Sequence, residues 1–216
     1  MRAPLSLALA VALSVLSGCG ADPAPVAPSA AASPRPSTPA ELLTALIVAD
    51  EDLTGALSWT RNADRDPDAP HLLPTCRGTE RLWPAAEGQA MPGRHREWLA
   101  SAEIGAAQWI YLRPVADAVA KQAQYAADDT GCAEYVEMET KYRLVPFTPA
   151  GPREAYTSCR EGTEMAGAVT FSCTAILSKG TALVRLVSWG PAKTDAEAAL
   201  TAVLEPAARR LAAAVG

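Results

Sequence analysis

Five cysteines, an odd number, constrain this chain of 216 residues more than any other feature of its sequence. One of them, Cys19, directly follows a short apolar run, and the other four lie between residues 76 and 173. An even set of cysteines in an exported domain implies two disulfides, whereas a cytosolic chain would keep its thiols reduced. The covalent framework of the fold therefore depends on whether the N-terminal segment directs export.

The N-terminal segment has the pattern of an export signal. Arg2 supplies a positive charge, and residues 5–15 form an apolar run that is too short to span a bilayer. Leu16-Ser17-Gly18-Cys19 follows and resembles the bacterial lipobox, in which the cysteine sulfur is diacylated before cleavage. We therefore expect residues 1–18 to be a lipoprotein signal peptide and Cys19 to anchor the chain on the extracytoplasmic side of the cell membrane.

The next segment is rich in proline and alanine. Residues 20–39 contain six prolines and almost no large apolar side chain, so residues 19–39 are expected to be a lipidated cysteine followed by a disordered linker. Thr38-Pro39-Ala40-Glu41 has the pattern of a helix capping box with proline at the first helical position. Residues 40–216 are therefore predicted to form the folded domain.

Composition and motifs exclude several classes of function. The formal net charge is −5, which argues against a nucleic-acid partner, and membrane contact is expected only through the N-terminal lipid. Alanine is abundant and arginine outnumbers lysine, as is typical of actinobacterial and other high-GC bacterial proteins. No catalytic, metal-binding or cofactor-binding motif is present, and His71 and His95 are expected in loops or at the surface.

The spacing of apolar residues predicts several strands and a few helices. Residues 106–112 are expected to form a strand. A helix is predicted from Pro114 to Gly131, with one face formed by Val115, Val119, Gln122, Ala123 and Ala126. A single half-buried strand is predicted from Val136 to Leu144.

The C-terminal part carries the strongest local signal. Residues 169–177 and 183–187 flank Lys179-Gly180 as a hairpin, and a capping box at residues 194–197 is expected to start a terminal helix that runs to Val215. These elements predict an α+β fold with a central, mostly antiparallel sheet and helices packed on it.

The four remaining cysteines allow three pairings, and the sequence alone does not choose among them. Cys159 lies in an expected strand that turns back toward the strand carrying Cys173, which favours Cys159–Cys173 and leaves Cys76–Cys132. Trp59, Trp83 and Trp98 lie in irregular segments, where such side chains either line a ligand-binding cleft or anchor the core beneath long loops.

The order of these features resembles the PknH-type extracellular sensor domain family, which includes ectodomains of mycobacterial serine/threonine kinases and free-standing actinobacterial lipoproteins. The features that carry the resemblance are the anchored linker, Cys76, a helix ending at Cys132, Phe171-Ser172-Cys173, the hairpin, Trp189-Gly190 and an alanine-rich final helix. The resemblance implies an α+β domain with two disulfides and a V-shaped cleft for an unidentified ligand. This chain has Ser188-Trp189-Gly190 where that family places its fourth cysteine, and it carries no kinase domain.

We therefore predict a lipid-anchored, extracytoplasmic, non-enzymatic domain of the sensor type. It would bind a small molecule or an envelope component, without a cofactor. An envelope lipoprotein that docks to another protein is the first alternative. A hydrolase without a recognisable local motif is the second.

Overall fold

A computed structural model of the chain describes residues 35–53, 57–65, 72–75, 78–81, 92–137, 139–148 and 151–215. The predicted signal peptide, Cys19, Cys76, Trp83 and His71 lie outside these residues. The helices are α1 (Pro39–Leu46), α2 (Ala118–Thr130) and α3 (Lys193–Ala214), with a short 3₁₀ helix at Asp50–Asp52. The strands are β1 (Thr60–Arg65), β2 (Leu72–Thr75), β3 (Gly78–Arg81), β4 (Gly93–Leu99), β5 (Gly105–Leu112), β6 (Glu134–Glu137), β7 (Thr140–Val145), β8 (Tyr156–Glu164), β9 (Val169–Lys179) and β10 (Ala182–Gly190).

The predicted α+β fold is confirmed. Eight strands form an antiparallel sheet in the order β1-β4-β5-β10-β9-β8-β7-β6, while β2 and β3 form a separate pair. The predicted hairpin of β9 and β10 occupies the centre of the sheet. Its turn needs Gly180, which adopts a φ of 56° that side chains with a Cβ rarely tolerate.

One face of the sheet, which we call the core face, packs against α1 and α3. Alternate residues of the central strands point to this face, because side chains of a strand alternate between its two sides. Ile110 of β5 and Leu186 of β10 meet Leu200 and Leu204 of α3, and all four side chains are buried. Helix α2 packs on the opposite side, against β8, β9 and β10, and we call that side the α2 face.

The predicted Cys159–Cys173 disulfide is present and joins β8 to β9 on the core face, with the two Cα atoms 4.0 Å apart. On β10, the residue opposite Cys173 is Ser188, which cannot form a disulfide. The partner of Cys173 is therefore Cys159 on β8, the strand on the other side of β9. Cys132 is buried just after α2. Its expected partner, Cys76, lies outside the described residues, so that pairing stays a prediction.

One of the two predicted capping boxes is confirmed. The Thr38 hydroxyl accepts a hydrogen bond from the Glu41 amide at 3.2 Å, and the Glu41 carboxylate accepts one from the Thr38 amide at 3.1 Å. The second prediction is wrong, because α3 begins at Lys193 with Ala192 as its N-cap. The Ala196 amide already bonds to the Ala192 carbonyl at 3.2 Å, which places Thr194 inside the first turn.

Three further predictions are corrected, one for the strands at the β6 edge of the sheet and two for α2. The single strand expected from Val136 to Leu144 is a hairpin of β6 and β7, which turns at Glu139 with a φ of 68°. Helix α2 starts at Ala118 rather than directly after Pro114. Its predicted face is not the buried one, since Val115 and Val119 are 56% and 61% exposed while Tyr125 and Asp129 are buried; of the other predicted members, Gln122 and Ala126 are half-buried and Ala123 is exposed.

Candidate functional site

The α2 face contains a cavity of about 130 Å³ beside α2. It is lined by eight residues that are all polar or aromatic, namely Tyr125, Tyr135, Tyr142, Ser158, Arg160, Ser172, Thr174 and Arg185. One lies on α2, and the others lie on the five consecutive strands from β6 to β10. A cavity of this size holds several water molecules or a small ligand, because one water needs only about 10–15 Å³ of such volume.

Strand alternation explains how these side chains come together. Ser158 and Arg160 on β8 point to the same side, and their partners across the ladder are Thr174 and Ser172 on β9. The small hydroxyl residues of β9 leave room between bulkier neighbours. Tyr135 and Tyr142 face each other across β6 and β7 with ring centroids 5.0 Å apart and form one wall.

Arg160 is neutralised within the protein. Its guanidinium bonds to the Asp129 carboxylate at 2.6 Å, and the two side chains are only 9% and 2% exposed. The Tyr156 hydroxyl donates to the second carboxylate oxygen of Asp129 at 2.6 Å, and Arg160 also bonds to the carbonyls of Cys132 and Asp129. This buried pair fixes the end of α2 to β8, which is why the helix turns Asp129, rather than Val119, toward the sheet.

Arg185 is a cation without a counterion among the described residues. Its guanidinium lies 5.0 Å from the centroid of the Trp109 ring, a cation–π contact. The Nε–H is buried and has no hydrogen-bond partner within the described part of the chain. Burial lowers the pKa of Arg185, and the neighbouring hydroxyls of Tyr125, Tyr111 and Tyr135 raise it. A guanidinium nevertheless stays protonated at neutral pH.

The tyrosines around the cavity do not supply the missing negative charge. Burial raises the pKa of Tyr111 and Tyr125 well above the usual value near 10. The pKa of Tyr156 is raised by burial and by its bond to Asp129. All three are therefore neutral at physiological pH, and the charge left at the cavity is that of Arg185.

A second depression, of about 590 Å³, lies where residues 151–152 approach α3. Its two charged residues, Glu205 and Arg209, bind each other at 3.0 Å and are both more than half exposed. Unlike Arg185, these groups are matched and solvated, so the smaller cavity is the better candidate site.

The structure does not bring the sequence-predicted tryptophans to this cavity. Trp98 is fully buried in the core, and its indole N–H donates to Asp50 at 2.9 Å, so Trp98 is a core anchor. Trp59 packs against the same core cluster, and Trp83 lies outside the described residues. Trp98 therefore anchors the core and does not line a ligand-binding cleft. The packing of Trp59 against the same cluster favours the same role for Trp59.

His95 corrects another expectation. It is buried in β4, not in a loop or at the surface, because β1 and β5 flank that strand. The centroid of its ring lies 4.7 Å from that of Trp109, and Trp109 separates His95 on β4 from Arg185 on β10. His71 lies outside the described residues. Within the described residues, no group of three or more His, Cys, Asp or Glu side chains is placed to bind a metal ion.

Sequence reasoning missed Arg160 and Arg185. One signal for Arg185 was present: an arginine in the middle of the apolar run Leu183-Val184-Arg185-Leu186-Val187. A charged residue inside a central strand is costly unless it is paired or binds something, so this signal could have identified Arg185. Arg160 gave no such signal, because its partner lies 31 residues away.

The sequence matches no family model and no curated protein. Three solved chains match the structure. One is the extracellular domain of PknH from Mycobacterium tuberculosis, with 16% identity and a TM-score of 0.53, covering 81% of this chain and 93% of that chain. The similarity concerns the fold, and the expected family membership stays a prediction.

Proposed function

We propose that this chain is a lipid-anchored, extracytoplasmic and non-enzymatic domain of the sensor type, which binds a ligand in the cavity on the α2 face. The lipobox-like Leu16-Ser17-Gly18-Cys19 supports the anchor. The fold similarity to the extracellular domain of PknH supports the location and the sensor-type role. Among the described residues, no helix is both long and apolar enough to cross a bilayer.

The unmatched guanidinium of Arg185 in a polar cavity carries the binding part of this proposal. Arg185 is partly buried, and leaving such a charge without a partner costs free energy that a purely structural site would avoid. Sites for drug-sized molecules usually measure about 300–1,000 Å³. A volume of about 130 Å³ therefore suits a small molecule or one end group of a larger envelope component.

Metabolic labelling tests the anchor. Cells that express the full chain are fed an alkyne-bearing fatty acid, and the purified protein is examined for the label. We expect label on the wild-type protein and none on Cys19→Ala. Equal labelling of both proteins would contradict attachment at Cys19.

Ligand binding is tested by thermal unfolding of the full chain in nonionic detergent against a panel of small charged and neutral compounds. A ligand at 100 times its Kd stabilises the protein by about 2.7 kcal/mol. Ser172→Phe, which fills the cavity, should abolish that stabilisation. Thr170→Phe is the matched control, because Thr170 lies on the same side of the same strand but is exposed and outside the cavity.

Two outcomes would contradict the proposal. Stabilisation that persists in Ser172→Phe would place the binding site elsewhere. If no compound of the panel stabilises the wild-type protein, the ligand-binding function is wrong, and crosslinking in cells then tests the alternative of a docking protein.

A further inference from the structure

We propose that the ligand carries a singly charged oxyanion, either a carboxylate or a phosphodiester, and that Arg185 binds this group. The inference rests on the proposed function, because it names the class of ligand for the same cavity. Three observations carry it: the unmatched donors of Arg185, the net charge at the cavity, and the free hydroxyl groups beside it.

The donors of Arg185 fit an oxyanion. A guanidinium presents five N–H donors in a plane, and this geometry matches two oxygens of a carboxylate or phosphate. Among the described residues no hydrogen bond or ion pair of Arg185 is found, its Nε–H is buried and unmatched, and its guanidinium lies over the ring of Trp109. The indole holds the guanidinium from one side and leaves its edge available for hydrogen bonding, because the cation–π contact uses only the face of the guanidinium.

The charge count favours a monoanion. Arg160 and Asp129 cancel each other at 2.6 Å, and burial keeps the neighbouring tyrosines neutral. One positive charge, that of Arg185, is left to be balanced at the cavity. A dianion such as sulfate would bring a second negative charge close to the Asp129 carboxylate, which disfavours it.

Hydroxyl groups and aromatic rings complete the site. Ser172 and Thr174 line the cavity, and within the described part of the chain their hydroxyls form no hydrogen bond. They are therefore available to donate to an oxyanion. The stacked rings of Tyr135 and Tyr142 form an aromatic wall for the rest of the ligand, with the Arg160 guanidinium 4.9 Å from the centroid of the Tyr135 ring.

The experiment compares charged and neutral probes on the full chain in nonionic detergent, at constant ionic strength. The probes are sodium acetate, sodium benzoate, dimethyl phosphate, sodium sulfate and uncharged benzamide. We expect benzoate to bind about tenfold or more tightly than benzamide and sulfate, since hydrogen bonds to charged groups contribute at this level. Comparing benzoate with dimethyl phosphate separates a carboxylate ligand from a phosphodiester such as a lipid headgroup.

Variants locate the charge that binds the probe. Arg185→Gln should lose about tenfold or more in affinity for benzoate, and Arg185→Lys should retain part of it. Arg143→Gln is the matched control, because Arg143 is exposed and paired with Glu161 away from the cavity, and it should bind like the wild-type protein. Circular dichroism checks that each variant is folded, and the comparison of benzoate with benzamide needs no variant.

The failure of this inference is distinguishable from that of the proposed function. If benzamide binds as well as benzoate and Ser172→Phe abolishes both, the cavity binds a ligand but not an anion, and only the inference is overturned. Tightest binding by sulfate, or an unchanged affinity for benzoate in Arg185→Gln, would likewise overturn the inference of a monoanion site at Arg185. Neither result would contradict ligand binding in the cavity.

Discussion

The same strands build the two faces of the sheet with opposite chemistry. On the core face, Ile110 of β5, Ala175 of β9 and Val184 of β10 pack beneath α1 and α3. On the α2 face, the adjacent residues include Thr174 and Arg185, which line a polar cavity. Because strand residues alternate, a shift of one position separates the side that holds the fold together from the side that is open to a ligand.

Polar groups make the contrast sharper, since the core face also contains them. Gln108 is fully buried there, but its amide donates to the Leu46 carbonyl at 3.0 Å and accepts from the Val48 amide at 2.9 Å. Ser188 donates to the Ala196 carbonyl at 2.6 Å. Buried polar groups of native proteins are normally matched in this way. Among the described residues the indole N–H of Trp59 is also buried without a partner, but it is neutral, whereas the unmatched group at Arg185 carries a charge. An unpaired charge therefore indicates a site at Arg185.

The largest effect is expected from Asp129→Asn on the α2 face. The substitution leaves the Arg160 charge buried without a counterion, and breaking such a pair costs about 3–5 kcal/mol. Urea unfolding measures the loss. The variant also adds a second positive charge to the cavity, so sulfate should stabilise Asp129→Asn more than it stabilises the wild-type protein.

A double variant provides the control for this prediction. Asp129→Leu/Arg160→Met removes both charges, and replacing a buried pair by apolar side chains is often neutral or stabilising. Its free energy of unfolding should lie well above that of Asp129→Asn. A double variant as unstable as the single one would mean that packing at these positions, not charge, supports the end of α2.

Substitutions on the core face should lower the free energy of unfolding in proportion to the side-chain volume removed, without changing ligand affinity. Leu200→Ala on α3 removes a fully buried side chain and should lower the free energy of unfolding by about 2–5 kcal/mol. Because the cavity lies on the other side of the sheet, affinity for benzoate should not change. Val136→Ala is the control, since Val136 is exposed and should shift stability by less than about 0.5 kcal/mol. A loss of benzoate affinity in Leu200→Ala would show that the faces are coupled.

The disulfide on the core face should contribute slightly less. Cys159→Ala/Cys173→Ala opens a loop closed across 14 positions, and loops of this size contribute about 3 kcal/mol in the chain-entropy model. Thermal unfolding of the double variant measures the difference. Both cysteines are fully buried, so a reductant can reach the disulfide only when the native protein opens, and the rate of opening should limit the rate of reduction. Rapid reduction of the native protein would contradict the buried position.

The core face was also the more predictable of the two. The alternation in residues 169–187 predicted β9, β10 and the turn between them. Cys159 lies in an expected strand that turns back toward β9, and this predicted its bond to Cys173. These features depend on neighbours that are close in sequence. The capping box at Thr38 succeeded for the same reason.

The α2 face was mispredicted where distant residues decide the structure. Apolar spacing favoured Val115 and Val119 as the buried stripe of the helix, yet the contact of Asp129 with Arg160 sets its rotation. A helix with many alanines has a weak apolar face, so one buried ion pair outweighs the pattern. The cavity could not be predicted, because it forms only when five strands and a helix are in register.

The smallest expected effect is on stability in Arg185→Met, and it distinguishes a binding site from a structural one. The substitution removes an unpaired, partly buried charge and keeps a long apolar side chain against Trp109. The lost cation–π contact costs about 0.5–2 kcal/mol, and removing the desolvation cost of an unpaired charge offsets this loss. We therefore expect Arg185→Met to unfold at the same urea concentration as the wild-type protein or a higher one, and to lose benzoate binding. Since residues retained for function often lower stability, this pattern would mark Arg185 as a ligand-binding residue, whereas a strongly destabilised variant would mark it as a structural one.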